Sequence, residues 1–260
     1  MPELPEVETT RRGIEAALVG RTVTSAVFHE RRLRWTVPTD FASRLRGQRV
    51  RAVKRRAKYL LVELERGTLI VHLGMSGSLR LVTSDAPRLT HDHVELRLDD
   101  GNVLRFNDPR RFGSVHFVTG DALQHTLLAR LAPEPLGDDF DAHYLWRVTR
   151  KRRASIKQVL MSSHLVVGVG NIYASEALFR AGIRPGTAAG RISRARMAAL
   201  VASIREVLSE AIEVGGTTLR DYVNADGAPG YFARKLFVYE RRGKPCRRCR
   251  TPIRQFTQGS

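Results

Sequence analysis

LAPEPLGDDFD, residues 131–141, packs two prolines, one glycine and three aspartates into a single short stretch. That is the composition of a connection, and the hydrophobic pattern changes across it. On its N-terminal side lie TVTSAVF (22–28), RVRAVK (49–54), YLLVELE (59–65), TLIVHL (68–73), SLRLV (78–82), HVELRLD (93–99), NVLRF (102–106) and SVHFV (114–118). These short runs are rich in β-branched residues, and each predicts a strand. Asp100-Gly101 predicts a hairpin turn between HVELRLD and NVLRF, and Arg66-Gly67 the turn of the hairpin before it. Eight such strands predict a sandwich or a flattened barrel.

On the C-terminal side the period becomes helical. Met197, Leu200, Val201, Ile204, Leu208, Ala211 and Ile212 mark one face of a long helix. Ser193 is its candidate N-cap and Gly215-Gly216 its candidate stop. Two shorter helices are predicted near 154–162 and 172–181, joined by SHLVVGVGN. The tail from 234 to 260 is basic and turn-rich.

The chain has 260 residues and a formal net charge of +18, from 44 Lys+Arg against 26 Asp+Glu. Its hydrophobic content of 42% is that of a folded protein rather than a disordered one. The excess of cations points first to nucleic acid and second to an anionic membrane surface. No run approaches a membrane-spanning length and no apolar signal segment opens the chain, so a cytoplasmic, nucleoid-associated location is expected. The basic residues gather in RAVKRRAKY (51–59), RFNDPRRFG (105–113), RVTRKRRASIK (147–157) and RKLFVYERRGKPCRRCR (234–250). Four such runs in both halves fit a phosphate-binding surface better than a merely solvated one.

The opening MPELPEVE poses a chemical question. Pro5, Glu6 and Glu8 suit a helix start, with Val7, Ile14 and Leu18 as its apolar stripe. Pro2 and Glu3 lie ahead of that helix. Removal of Met1 would leave Pro2 as a secondary amine, with a pKa below that of lysine, though by less than for an ordinary α-amine. The positive end of the helix would lower it further. Such an amine can attack an aldehyde-like carbon and form a cationic iminium, and Glu3 stands beside it to move protons. On these two residues alone a frayed terminus with no role is the favoured reading.

GVGNIY (168–173) lacks the third glycine of a dinucleotide fingerprint. It reads as a glycine turn ahead of a helix, with Asn171 as N-cap and backbone amides suited to a phosphate. Cys246 and Cys249 are spaced as half of a zinc site, which takes four ligands. His91-Asp92-His93 alternates on a predicted strand with no third metal ligand evident, so phosphate contact or hydrogen bonding is expected there.

Taken together, MPELPEVE, AKYLLVEL (57–64), HLGMSG (72–77), NDPRRFG (107–113), VVGVGNIYASE (166–176) and DGAPGYF (226–232) resemble the bacterial formamidopyrimidine-DNA glycosylases, in order and spacing, over nearly the whole chain. The resemblance implies an α+β fold: an N-terminal helix plus eight-stranded β-sandwich (1–132), a helical domain with a helix–two-turn–helix (133–233), and a partial zinc-finger hairpin (234–260). It implies a monomeric enzyme of base-excision repair acting on damaged double-stranded DNA. Such enzymes remove 8-oxoguanine and formamidopyrimidines and cut the abasic strand by β-elimination.

Residue by residue, the resemblance makes Pro2 the nucleophile, Glu3 the proton donor, Lys58 the group serving β-elimination and Glu6 a shaper of the pocket. His91, Arg110 and Arg152 would bind DNA, and Asn171 would hold a phosphate. Met75, Arg110 and Phe112 would fill the space left by an everted nucleotide, and residues 217–232 would close over the base. The family's finger carries four cysteines and a late arginine assigned to δ-elimination. Cys246 and Cys249 are the first pair alone, and the expectation of zinc rests on them. Two other readings compete: a non-catalytic lesion-binding protein on the same scaffold, and an endonuclease VIII-like glycosylase for oxidised pyrimidines.

Overall fold

The computed structural model describes residues 2–216 and 235–258. It forms two compact units. Residues up to Ala129, joined by Gly215 and Gly216, make the first; Arg130–Val214 and the described C-terminal residues make the second.

The first unit opens with α1 (Leu4–Leu18), which buries Val7, Ile14 and Leu18 as their spacing predicts. The helix starts one residue before Pro5, at Leu4. Eight antiparallel strands follow: β1 (Val23–Phe28), β2 (Val50–Arg56), β3 (Tyr59–Leu64), β4 (Gly67–His72), β5 (Ser78–Thr83), β6 (Asp92–Leu98), β7 (Asn102–Asn107) and β8 (Ser114–Val118). They form two four-stranded sheets, ordered β1-β6-β7-β5 and β2-β3-β4-β8. The arrangement is a sandwich, and α1 packs on β2, β3 and β5. Leu60, Val62, Leu69, Val71, Leu96, Leu104 and Phe106 lie in the shared core. A short α2 (Phe41–Leu45), which the sequence pattern does not reveal, buries Phe41 and Leu45 against it.

Two turns decide where chemistry sits. Ala57 and Lys58 connect β2 to β3, with Arg56 facing Tyr59 across the ladder. Ala57 takes φ 54°, a left-handed backbone that costs a residue with a Cβ about 1 kcal/mol or more. The β3–β4 turn is Glu65-Arg66 rather than Arg66-Gly67, since Gly67 already pairs with Leu64.

The second unit contains α3 (Ala142–Thr149), α4 (Ile156–Leu160), α5 (Asn171–Arg180) and α6 (Arg194–Glu213). Asp141 caps α3 by accepting from the Tyr144 amide. Ser155 and Gln158 form a reciprocal capping box at α4. Ser193 caps α6 as predicted, and Gly215 and Gly216 follow its end with φ near +80°. The α4–α5 pair, joined through turns that include Gly168 at φ +76°, is the expected helix–two-turn–helix. At its second helix the sequence reading needs one correction: Gly170, not Asn171, is the N-cap, and Asn171 is the first helical residue. Gly170 has the extended backbone of an N-cap and makes no side-chain cap bond, and glycine is among the residues favoured at that position.

Candidate active site

In the first unit the start of α1 is a closed structure, not a frayed one. Pro2 is buried, and Glu3 and Glu6 are almost wholly so. The Glu3 amide donates to Glu6 Oε2 at 2.9 Å, and the Glu3 carboxylate caps the helix in return. The two acids therefore satisfy orphan N–H groups at the positive end of α1. Gly216 (φ +79°) approaches the same corner: a Cβ there would lie 3.2 Å from Glu6 Oε1. Residues 217–232, expected to cover an everted base, lie outside the described residues.

Lys58 is half-buried at the tip of the β2–β3 hairpin, on which α1 packs. The last residue of β4, His72, is close to it. The Tyr59 and His72 rings are 4.8 Å apart, and His72 Nδ1 accepts from the Gly74 amide at 3.0 Å. Burial pushes His72 down to about 4, and the positive charges of Lys58 and Arg34, with His116, add to the effect. His72 is thus a neutral, polar neighbour of Lys58 at neutral pH. The sequence reading misses it; its signal is its place in HLGMSG, immediately before the glycine turn.

Behind the hairpin, Glu8 collects Arg11, Arg12 and Arg55. Burial alone would raise its carboxyl. The hydrogen bonds of Arg11 and Arg12 and the charges of Arg11 and Arg55 bring it below the usual carboxylate range. Arg55 of the first basic run therefore serves the fold as well as the surface.

Met75 and Phe112 are exposed, at 39% and 44%, although both adjoin strands that bury their neighbours. The Arg110 guanidinium lies 4.7 Å from the centre of the Phe112 ring. These side chains stand on two adjacent loops: a Cβ on Gly74 would collide with the backbone of Phe112 and Gly113. Exposed apolar side chains beside an exposed cation form a wedge able to enter a base stack.

His91 is exposed just before β6, whereas His93 is buried with its Nε2 2.9 Å from the Asp108 carbonyl oxygen. The loop before His91 is fixed from below. Asp92 accepts from the Leu89 amide, Arg80 and Asn107, and Arg105 donates to the carbonyls of Ala86 and Pro87.

In the second unit Arg152 and Asn171 are both exposed, the first just before α4 and the second at the start of α5. Beyond them Gly243, Lys244, Cys246, Thr251 and Ile253 form a short hairpin by paired backbone hydrogen bonds. It is held to α5 by Glu176, which is fully buried and accepts from the amides of Phe237, Val238 and Tyr239 at 2.8–2.9 Å. Phe237 stacks on Phe179, with Arg248 over both rings.

Cys246 is buried and Cys249 exposed. Hydrogen bonds from Thr251, and then from Cys246, lower the Cys249 thiol. Among the described residues no third His, Cys, Asp or Glu joins them. Two thiols supply half of the four-ligand set of a structural zinc. Nor is any described helix long and apolar enough to cross a membrane.

Comparison with known proteins covers both units. Residues 1–115 match the family model for the formamidopyrimidine-DNA glycosylase N-terminal domain, and residues 131–223 that for its H2TH domain. The formamidopyrimidine-DNA glycosylase of Thioalkalivibrio sulfidiphilus is 63% identical over all of this chain and 96% of its own length. That of Stutzerimonas stutzeri is 57% identical over a similar span. Among solved structures, a Lactococcus lactis Fpg mutant in complex with Fapy-dG-containing DNA superposes with a TM-score of 0.93. It is 35% identical over 99% of this chain and 95% of that one. The MutM (Fpg) protein of Thermus thermophilus gives a TM-score of 0.87 at 38% identity over 97% and 92%.

Proposed function

The chain belongs to the formamidopyrimidine-DNA glycosylase family, and from that premise we propose that it removes oxidised purines from damaged double-stranded DNA and then cuts the abasic strand. With Met1 removed, the Pro2 nitrogen attacks C1′ of the damaged nucleoside. The bond from C1′ to the base breaks as the new C–N bond forms, and the base leaves with a proton. Glu3 protonates the ring oxygen as the deoxyribose opens, giving a cationic iminium between Pro2 and C1′. That cation acidifies the C2′ hydrogen. Lys58 serves its removal and the expulsion of the 3′ phosphate by β-elimination. His72, uncharged at neutral pH, leaves Lys58 as the cation facing the phosphate.

The observation that carries this reading is the construction of the α1 start. Two carboxylates are buried beside a buried proline and are bonded to each other's backbone, at a place where apolar packing would need neither. Burial of acids is costly, and positioning of a nucleophile and a proton donor accounts for it.

The exposed Met75, Arg110 and Phe112 supply the wedge that replaces the everted nucleotide, with Arg110 donating to the orphaned cytosine. His91, Arg152 and Asn171 supply phosphate contacts.

Borohydride reduction with an 8-oxoguanine duplex tests the chemistry. A covalent band that vanishes on Pro2→Gly or on acylation of the terminus is expected. Lesion binding with no band at any salt concentration would instead mark a binding protein on this scaffold. Excision confined to oxidised pyrimidines would place the specificity elsewhere in the superfamily.

A further inference from the structure

Asp108 belongs to none of the roles above, yet it is completely buried. Among the described residues no cation pairs with it. Its carboxylate instead joins two loops. Oδ1 accepts from the Ser76 hydroxyl at 2.8 Å, and Oδ2 from the Gly113 amide at 2.7 Å. Its own amide donates to the His91 carbonyl at 3.0 Å, and its carbonyl oxygen lies 2.9 Å from His93 Nε2. One residue therefore ties the loop of Met75, the loop of Arg110 and Phe112, and the backbone of His91.

The surrounding glycines show how little slack the joint has. A Cβ on Gly113 would meet the Phe106 ring at 2.6 Å and the His72 carbonyl oxygen at 2.7 Å. On Gly77 it would run into the Leu73 carbonyl. Arg111, between the wedge residues Arg110 and Phe112, is held at φ 55°. A buried carboxylate bonded by a hydroxyl and an amide makes strong, directional contacts, and its lone pairs fix where both loops stand.

We infer that Asp108, with Ser76, is the positioning pair that sets Met75 against Arg110 and Phe112, and so governs how strictly the enzyme reads the base opposite the lesion. The inference rests on the proposed reading of these three side chains as the wedge. Arg110 can distinguish the orphaned base only if its loop holds still relative to the loop that carries Met75. Small displacements of a recognition group cost specificity before they cost binding.

The test uses the whole protein and two readouts. The first is the single-turnover cleavage rate opposite cytosine divided by that opposite adenine. The second is the fluorescence of 2-aminopurine placed beside the lesion, which reports wedge insertion without any cleavage. Ser76→Ala is expected to lower the ratio about threefold and to weaken the fluorescence change. Asp108→Asn, which removes the charge from both bonds and reverses the one to Ser76, is expected to lower the ratio about tenfold. Ser76→Thr, which keeps a hydroxyl, is expected to restore it.

A Ser76→Ala enzyme with the ratio and the fluorescence change of the parent overturns the inference and leaves the proposed function standing. A parent that gives no fluorescence change with lesion duplex overturns the wedge reading and the inference with it. If Asp108→Asn fails to fold, the Ser76 pair of variants decides alone.

Discussion

Asp108 in the first unit and Glu176 in the second are both fully buried carboxylates, and neither is paired with a cation among the described residues. Each anchors chain that presents basic or apolar side chains to solvent. They differ in what they hold. Asp108 receives one hydroxyl and one amide from loops already fixed by flanking strands. Glu176 receives three consecutive amides from a segment with no strand or helix of its own. Two other acids, buried Glu95 and half-buried Glu8, are enclosed by arginines instead. A carboxylate bonded to backbone N–H groups fixes main chain, whereas one bonded to guanidinium groups fixes side chains. A molecule with so many surplus cations uses the first device where main-chain position matters.

The comparison makes Glu176 the more consequential of the two for stability. Glu176→Ala would leave three N–H groups without an acceptor. Water reaches this half-exposed segment and softens the penalty, so the expected loss is about 3 kcal/mol in a denaturant titration. Amide exchange should quicken first at 237–239. Glu176→Gln keeps one acceptor oxygen and should lose roughly half as much. Global loss without local acceleration at 237–239 would break the assignment of Glu176 as the anchor.

A smaller effect separates the units by pH. His72 and His116 both sit near 4: His72 is lowered by burial, then by Lys58 and Arg34, and His116 by burial, then by His125. Their unfolded forms bind protons from about pH 6.5 downward. The unfolded state therefore binds more protons between pH 6.5 and about 4, and stability of the first unit falls as pH falls through that window. The expected loss is about 1.5 kcal/mol for His72 between pH 6.5 and 5, and less for His116, whose partial exposure to solvent weakens the effect. Glu8 and Asp92, whose carboxyls are lowered, add their own loss as pH falls from the ordinary carboxylate range through their lowered values. His116→Phe should flatten the upper part of the curve, as followed by thermal melting. An unchanged slope would mean that the imidazole is protonated in the folded state.

The same contrast explains what can be read from the chain. The eight strands are legible because short runs rich in β-branched residues are written locally, and Ser193 and Gly215-Gly216 bracket α6 with ordinary cap chemistry. The helix at 142–149 is not, because its cap Asp141 closes a stretch that reads as linker and its buried residues are only Leu145 and Thr149. Asn171 reads as the cap of α5 because glycine caps without leaving a side-chain signature. At the site, Met75 and Phe112 carry a motif that can be quoted, and the structure adds their exposure. Asp108 and Glu176 lie inside quoted motifs, NDPRRFG and VVGVGNIYASE, but nothing in those motifs tells what they hold. Ser76 lies 32 residues from Asp108 and the amides held by Glu176 about 60 from it, and a bond from a carboxylate to so distant a partner has no local pattern.

Weaker still should be the loss of one phosphate contact. If Arg152 meets a phosphate, Arg152→Ala should weaken binding of every duplex alike and reduce the slope of log affinity against log salt by about 1. A change confined to lesion duplexes would show that Arg152 reads damage instead.

The smallest effect is expected from metal removal. Glu176, the Phe179–Phe237 stack, and the Arg248 guanidinium 5.1 Å from the Phe179 ring centre hold the cysteine hairpin to α5. Its turn closes through Cys246 and Thr251 and through Arg250 and Cys246. None of these bonds needs a cation between the thiols. Excess chelator should therefore shift the melting temperature by less than about 1 °C, since a change of 1 kcal/mol moves a domain of this size by only a few degrees. Exchange at 237–239 should stay slow. A drop of more than about 5 °C with faster exchange there would make metal, not Glu176, the fastening of the hairpin, and the likeness between Glu176 and Asp108 would end with it.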